Sequence, residues 1–241
     1  MAKVIKKRLL NSVKAKYYRC YLLVFIYVIL IILLLLLAFK TKAISLIGIP
    51  FFILLIRSTI KRANILKPGF AGESKTVRIL SKLPGGYYVL PDLEILVEGK
   101  TCQTDNIVIC KSGVFVIETK NHIGLIEGKD VYNELTQTKI IEGHKTVRKQ
   151  FYNPIKQVDT HCYLVSKLLR NNGYKIGVQG IVFFSNKEAV VKVDCAEIPV
   201  FAAGKGGVRK MKRYIKRYSR EKKLSDSDVV KIKDIIIDNS N

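Results

Sequence analysis

Hydrophobic positions form two long unbroken runs near the start of the chain and short, amphipathic stretches after about residue 67. Tyr21 to Phe39 contains no charged residue. As a helix it would extend about 28 Å, close to the ~30 Å hydrocarbon core of a bilayer. After Lys40-Thr41-Lys42 a second run, Ala43 to Ile56, would reach only about 21 Å. Extension to Ile60, with Arg57 snorkelling and Gly48 and Pro50 accommodated in the helix, predicts a second span. The first run exceeds the ~7–15 apolar residues of a signal peptide and no A-x-A site follows, so the pattern predicts an anchor over residues 21–60, with spans at about 21–39 and 43–60.

Beyond the anchor the periods shorten. Gly72 to Leu83 carries Val77, Leu80 and Ile79, Leu83 at helical spacing, and Pro84-Gly85-Gly86 stops it. Tyr87 to Leu90 and Leu93 to Val97 are strand-like, broken by Pro91-Asp92, and Thr104 to Ile109 with Val114 to Lys120 reads as a hairpin. Asn153 caps a helix begun by Pro154, on which Ile155, Val158, Cys162, Val165 and Leu169 form one apolar stripe. Val178 to Phe184 is a buried strand, and Ile198 to Ala202 a further one. Val208 to Arg220 predicts a helix, and Ser225-Asp226-Ser227-Asp228 a capping box opening a last one. This order predicts a mixed α/β domain over residues 67–203, then a basic helix and a C-terminal helix over 204–241.

Charge adds orientation. The net charge is +23, and no Asp or Glu precedes Glu73. Lys3, Lys6, Lys7, Arg8, Lys14, Lys16 and Arg19 precede the first run, and Arg57, Lys61, Arg62 and Lys67 follow the second. A helical hairpin would place both groups, including a basic N-terminus over 1–20, in the cytoplasm, with the folded domain on the same side of the cell membrane. If Ala43 to Ile56 fails to cross, the domain faces outward. The basic excess beyond the anchor suggests a polyanionic partner. Cys20, Cys102, Cys110, Cys162 and Cys195 show no C-x-x-C spacing or paired framework, which favours reduced thiols.

The hairpin gathers the chemistry. With Ser112-Gly113 as a two-residue loop, Lys111 pairs with Val114, Asp105 with Lys120 and Ile107 with Glu118, so two carboxylates and an ammonium converge on one face. Polar residues ending an apolar β-branched hairpin oppose strand packing and mark a functional site. Hard carboxylate oxygens suit Mg²⁺ or Mn²⁺, and a neighbouring lysine can orient water or offset developing negative charge.

Gly72-Glu73, then Asp105, then Gly113-Val114-Phe115-Val116-Ile117-Glu118-Thr119-Lys120-Asn121, Gly124 and Phe151-Tyr152-Asn153-Pro154-Ile155-Lys156-Gln157 together resemble the nuclease-related domain, NERD, of the PD-(D/E)XK nuclease superfamily, over roughly Gly69 to Val200. The resemblance implies an α/β restriction-endonuclease-like core, a mixed sheet flanked by helices, here preceded by a transmembrane helix or helical hairpin. It implies metal ligands at Glu73, Asp105 and Glu118, with Lys120 completing the catalytic set and Gln157 touching the site or the substrate. Thr104-Asp105-Asn106 stands where the family usually has Ile-Asp-His, and the tryptophan that often follows E-x-K is absent from a chain without Trp.

Arg209, Lys210, Arg213, Lys216 and Arg217 on the basic helix are candidates to contact phosphates or anionic lipid headgroups. Gly204-Lys205-Gly206-Gly207 lacks P-loop spacing and reads as a turn. His122, His144 and His161 show no zinc-binding arrangement, and His122 reads as an exposed turn histidine. The expectation is a membrane-anchored, Mg²⁺-dependent nuclease acting on nucleic acid, DNA in particular. The alternative is a non-catalytic nucleic-acid-binding or scaffolding module at the membrane.

Overall fold

The computed structural model describes residues 1–5, 13–38, 48–141, 145–218 and 223–240. The chain divides into two compact units, Leu10–Ala71 and a second made of Met1–Leu9 with Gly72–Asn241. In the first unit, helix α1 (Val13–Ala38) is the one described helix long and apolar enough to cross a membrane, a test that a signal sequence of equal length would also pass. Leu22, Phe25, Leu33 and Leu36 are each more than half exposed. Of the second predicted span, residues 43–47 lie outside the described residues, and the remainder opens helix α2 (Ile49–Leu80).

In the second unit the main sheet has the order β1-β2-β3-β4-β8-β10. Strand β1 (Lys3–Val4) pairs parallel with β2 (Tyr88–Val97), and β2, β3 (Lys100–Cys110) and β4 (Gly113–Lys120) form an antiparallel meander. β8 (Val178–Phe184) and β10 (Val200–Ala202) extend it in parallel from β4. The two strands expected on either side of Pro91-Asp92 are one: Asp92 takes φ +52 and the register resumes unchanged beyond it. The predicted hairpin register is corrected by two residues, because Cys110 pairs with Gly113 and the loop is Lys111-Ser112. A shift of two preserves the face of every side chain, whereas a shift of one would have inverted them all.

Alternation along β3 and β4 separates two cores. Ile107, Ile109, Val114 and Val116 pack with Ile155, Val158 and Val165 of helix α3 (Pro154–Asn171) and with Val229 and Ile232 of helix α5 (Asp226–Asp238). Val108, Phe115 and Ile117 pack on the other face with Leu80 of α2 and with Met211 and Ile215 of helix α4 (Gly207–Arg217). The capping box at Ser225 and Asp228 is formed as predicted, and all five cysteines are free thiols. A second sheet, absent from the sequence reading, has the order β7-β6-β5-β9: β5 (Gly124–Lys129), β6 (Glu134–Ile140), β7 (Thr146–Tyr152) and β9 (Ala189–Asp194).

Candidate active site

Three elements converge where β4 and β8 end together. β4 supplies Glu118 and Lys120. β3 supplies Asp105, one step beyond the Asn106–Ile117 pair, and the backbone N–H of Thr119 donates to Asp105 Oδ2 at 2.7 Å. α2 supplies Glu73, and its close approach explains the preceding glycine: a Cβ on Gly72 would lie 2.7 Å from Asn121 Cβ and 2.8 Å from Ser185 Oγ. Lys75 Nζ donates to the Ser185 carbonyl at 2.6 Å and Thr119 Oγ1 to Thr76 Oγ1 at 3.3 Å, so this end of the helix is fastened to β4 and to the residue after β8.

α3 supplies the fourth wall, and Asn153 aims it. Its Oδ1 accepts from the Ile155 N–H at 3.0 Å, while Nδ2 donates to the carbonyls of Lys129, Asp130 and Tyr132 around the end of β5. One side-chain amide thus both caps the helix and ties it to the second sheet. Gln157 Oε1 then accepts from Lys120 Nζ at 2.9 Å, and Lys120 also donates to Glu118 Oε1 at 2.7 Å. The ammonium is fixed between a carboxylate and an amide. One turn further along α3, His161 Nδ1 stands 3.7 Å from Glu118 Oε2; both residues are buried and neither atom has a hydrogen-bond partner.

The electrostatics follow from burial. Desolvation raises Glu118, opposed by the Lys120 charge. Asp105 is raised well above the usual carboxylate range by desolvation, then by the charges of Glu118 and Glu73, against the Thr119 hydrogen bond and Lys120. Desolvation, followed by Asp92 and Glu118, lifts Glu73 to about 7. Glu73, Asp105 and Glu118 are close enough for each other's charge to oppose joint ionisation. Among the described residues no group of three or more His, Cys, Asp or Glu side chains is arranged to hold a metal ion. A cation held by a few carboxylate oxygens and completed by water and substrate oxygens is the habit of Mg²⁺.

Glu73, Asp105, Glu118, Lys120 and Gln157 are therefore brought together. Asp92 and His161 join them without having been singled out in the sequence; His161 lies four residues after Gln157, and that helical spacing was the signal that would have found it. Asp92 is a partly exposed residue in a left-handed conformation whose Oδ1 accepts from Gln103 Nε2 at 3.0 Å. Asn106, next to Asp105 on β3, points by alternation to the opposite face. His122 is not the exposed turn residue expected. Its ring lies 4.2 Å from that of Phe151, and burial with the charges of Lys120, Lys149 and Lys139 lowers it to about 4. His144 lies outside the described residues.

The basic helix stands elsewhere. Met211 and Ile215 anchor α4 in the core on the sheet face opposite Glu118. Arg209, Lys210, Arg213, Lys216 and Arg217 are exposed and carry no ion pair among the described residues. Lys210, Arg213 and Arg217 border a cavity of about 380 Å³ with Phe201, Tyr214 and Tyr218. A larger concavity of about 1080 Å³ lies on the second sheet, lined by Glu127, Tyr132, Arg148 and Tyr152 among others, and includes none of the convergent residues.

An uncharacterized Bacillus anthracis protein is 37% identical over 119 residues, 48% of this chain and 54% of the relative, so the chain spans about half the length of the curated relative it matches. No solved structure matches. The stretch that carries Glu73, Asp105, Glu118, Lys120, Gln157 and His161, residues 68–185, matches the family model of the nuclease-related domain, NERD.

Proposed function

We propose that this protein is a membrane-anchored, metal-dependent nuclease that hydrolyses phosphodiester bonds of nucleic acid, DNA first among them. The observation that carries the reading is the convergence of Asp105, Glu118 and Glu73 around an ammonium held at 2.7 and 2.9 Å by Glu118 and Gln157. The orphaned, buried Glu118 Oε2 fits a cation, since an ionised oxygen without a partner is costly to bury. Asp105, Glu118 and Glu73 would hold Mg²⁺ or Mn²⁺, which when bound polarises the phosphoryl group and acidifies water. Lys120 is positioned to orient the attacking water or offset charge on the phosphoryl oxygens. In the reaction a water oxygen bonds to phosphorus, the ester P–O bond breaks, and a phosphate monoester and a hydroxyl result.

The test is cleavage of linear, circular, single-stranded and RNA substrates by the full chain in detergent, with Mg²⁺, Mn²⁺ or chelator. Metal-dependent cleavage lost in Asp105→Ala is expected. Nucleic-acid binding with no cleavage under any metal would replace this reading with the non-catalytic module.

We infer further that α1 and the start of α2 cross the membrane as a two-pass hairpin. β1 precedes α1 yet pairs with β2, which follows α2, and the Ala2 N–H donates to the Leu83 carbonyl at 2.7 Å. A chain that leaves one sheet before the anchor and rejoins it afterwards crosses an even number of times. The basic flanks favour a cytoplasmic domain. With a tag at each terminus of the chain, protease protection in sealed inverted and right-side-out vesicles should find both tags cut together and only in inverted vesicles. Tags on opposite sides would refute the hairpin.

A further inference from the structure

We propose that His161 is a direct ligand of the active-site cation through Nδ1, sharing the ion with Glu118 Oε2. This rests on the metal-dependent reading above and adds a nitrogen donor, from α3, to what is otherwise an oxygen site. Among the described residues, the buried side-chain N and O atoms without hydrogen-bond partners are His161 Nδ1, Glu118 Oε2 and the amide of Asn106, which alternation turns to the opposite face from Asp105. The first two face each other at 3.7 Å, too far for a hydrogen bond. That gap lies within the span of two donors each about 2.0–2.2 Å from one ion.

The neighbouring groups leave this pair for an ion. Glu118 Oε1 is already occupied by Lys120, and Lys120 in turn by Gln157, so neither can turn to satisfy Oε2 without breaking a bond of 2.7 or 2.9 Å. His161 is held on a helix whose N-terminus is fixed by Asn153 and whose buried stripe, Val158, Cys162 and Val165, packs against the sheet. The imidazole is thus presented by a rigid element. Imidazole suits transition ions better than Mg²⁺, so a mixed nitrogen and oxygen set should bind Mn²⁺ in preference to Mg²⁺.

The test uses the full chain in detergent with Mn²⁺ alone as the probe. Binding is measured by continuous-wave electron paramagnetic resonance, and directly bound ¹⁴N is sought by pulsed spectroscopy. Wild type should bind Mn²⁺ at least tenfold more tightly than Mg²⁺ and show one coordinated imidazole nitrogen. His161→Ala, and the size-conserving His161→Gln should the first not fold, should lose the nitrogen signal and most of the Mn²⁺ preference, while His122→Ala keeps both. Mn²⁺ bound by wild type and lost in Asp105→Ala, but without nitrogen coupling, overturns the His161 assignment and leaves the carboxylate site standing. A nitrogen signal that survives in the His161 variant also overturns it. Wild type that binds no Mn²⁺ overturns the metal reading, and this assignment with it.

Discussion

The two faces of the main sheet treat charge in opposite ways. On the α3 face Glu118 is buried and Asp105 partly buried, Glu73 approaches them from α2, and desolvation raises all three, with repulsion adding to it at Asp105 and Glu73. On the α4 face five basic side chains reach into solvent above a packed stripe, with no ion pair among the described residues. A few charges in low dielectric, held by specific donors, make a site for chemistry; many in water make a diffuse electrostatic surface. If both act on one nucleic acid, binding and cleavage are performed on different sides of one sheet and should be separable by mutation.

The sharpest break is at the buried face. Asp105→Ala or Glu118→Ala should reduce cleavage on the order of 10³-fold or more, and Lys120→Ala by about 10²–10³-fold with Mn²⁺ binding retained. Rates with a metal titration measure this, and undiminished cleavage in both carboxylate variants would remove the site from this face. Neutralising Arg209, Lys210, Arg213, Lys216 and Arg217 together should weaken binding to all sequences alike. It should also flatten the slope of log K against log salt by nearly one unit per lost phosphate contact. If these side chains meet acidic lipid instead, nucleic-acid affinity stays constant, and vesicle binding falls by up to about 1 kcal/mol per charge.

A smaller effect should appear in pH dependence. Glu73 titrates near 7 in the folded chain against an ordinary value of 4.5, so the folded state holds its proton more tightly than the unfolded one. The stability this contributes is fully present below about pH 4.5 and is lost as pH rises through about 7. Glu73→Gln should therefore stabilise the metal-free protein more at pH 8 than at pH 5, by on the order of 1–2 kcal/mol. Paired urea titrations at the two pH values measure the difference, and a gain independent of pH would refute the shift. Smallest of all, any one of the α4 charges replaced by Gln should change stability by no more than about 0.5 kcal/mol in thermal denaturation, since these side chains are exposed and unpaired.

Local chemistry was enough to place much of this molecule. The continuous apolar run Val178–Phe184, the Asn153-Pro154 start of α3 and the Ser225 capping box are decided by neighbours within a few residues. The faces of Asp105, Glu118 and Lys120 survived an error of two in the hairpin register because strand side chains repeat every two residues. Tertiary structure alone decided the rest. β5, β6 and β7 are largely polar and hold together by pairing with one another and with β9, far along the chain, so no local period announced them. β1 is two residues long and exists because β2 offers it an edge. The approach of Asp92 to Glu73, and of Glu73 and His161 to Glu118, likewise depends on where a strand, a helix end and a packed helix meet. Such approaches across long loops are set by the global minimum of packing and hydrogen bonding, which a pattern read along one chain does not contain.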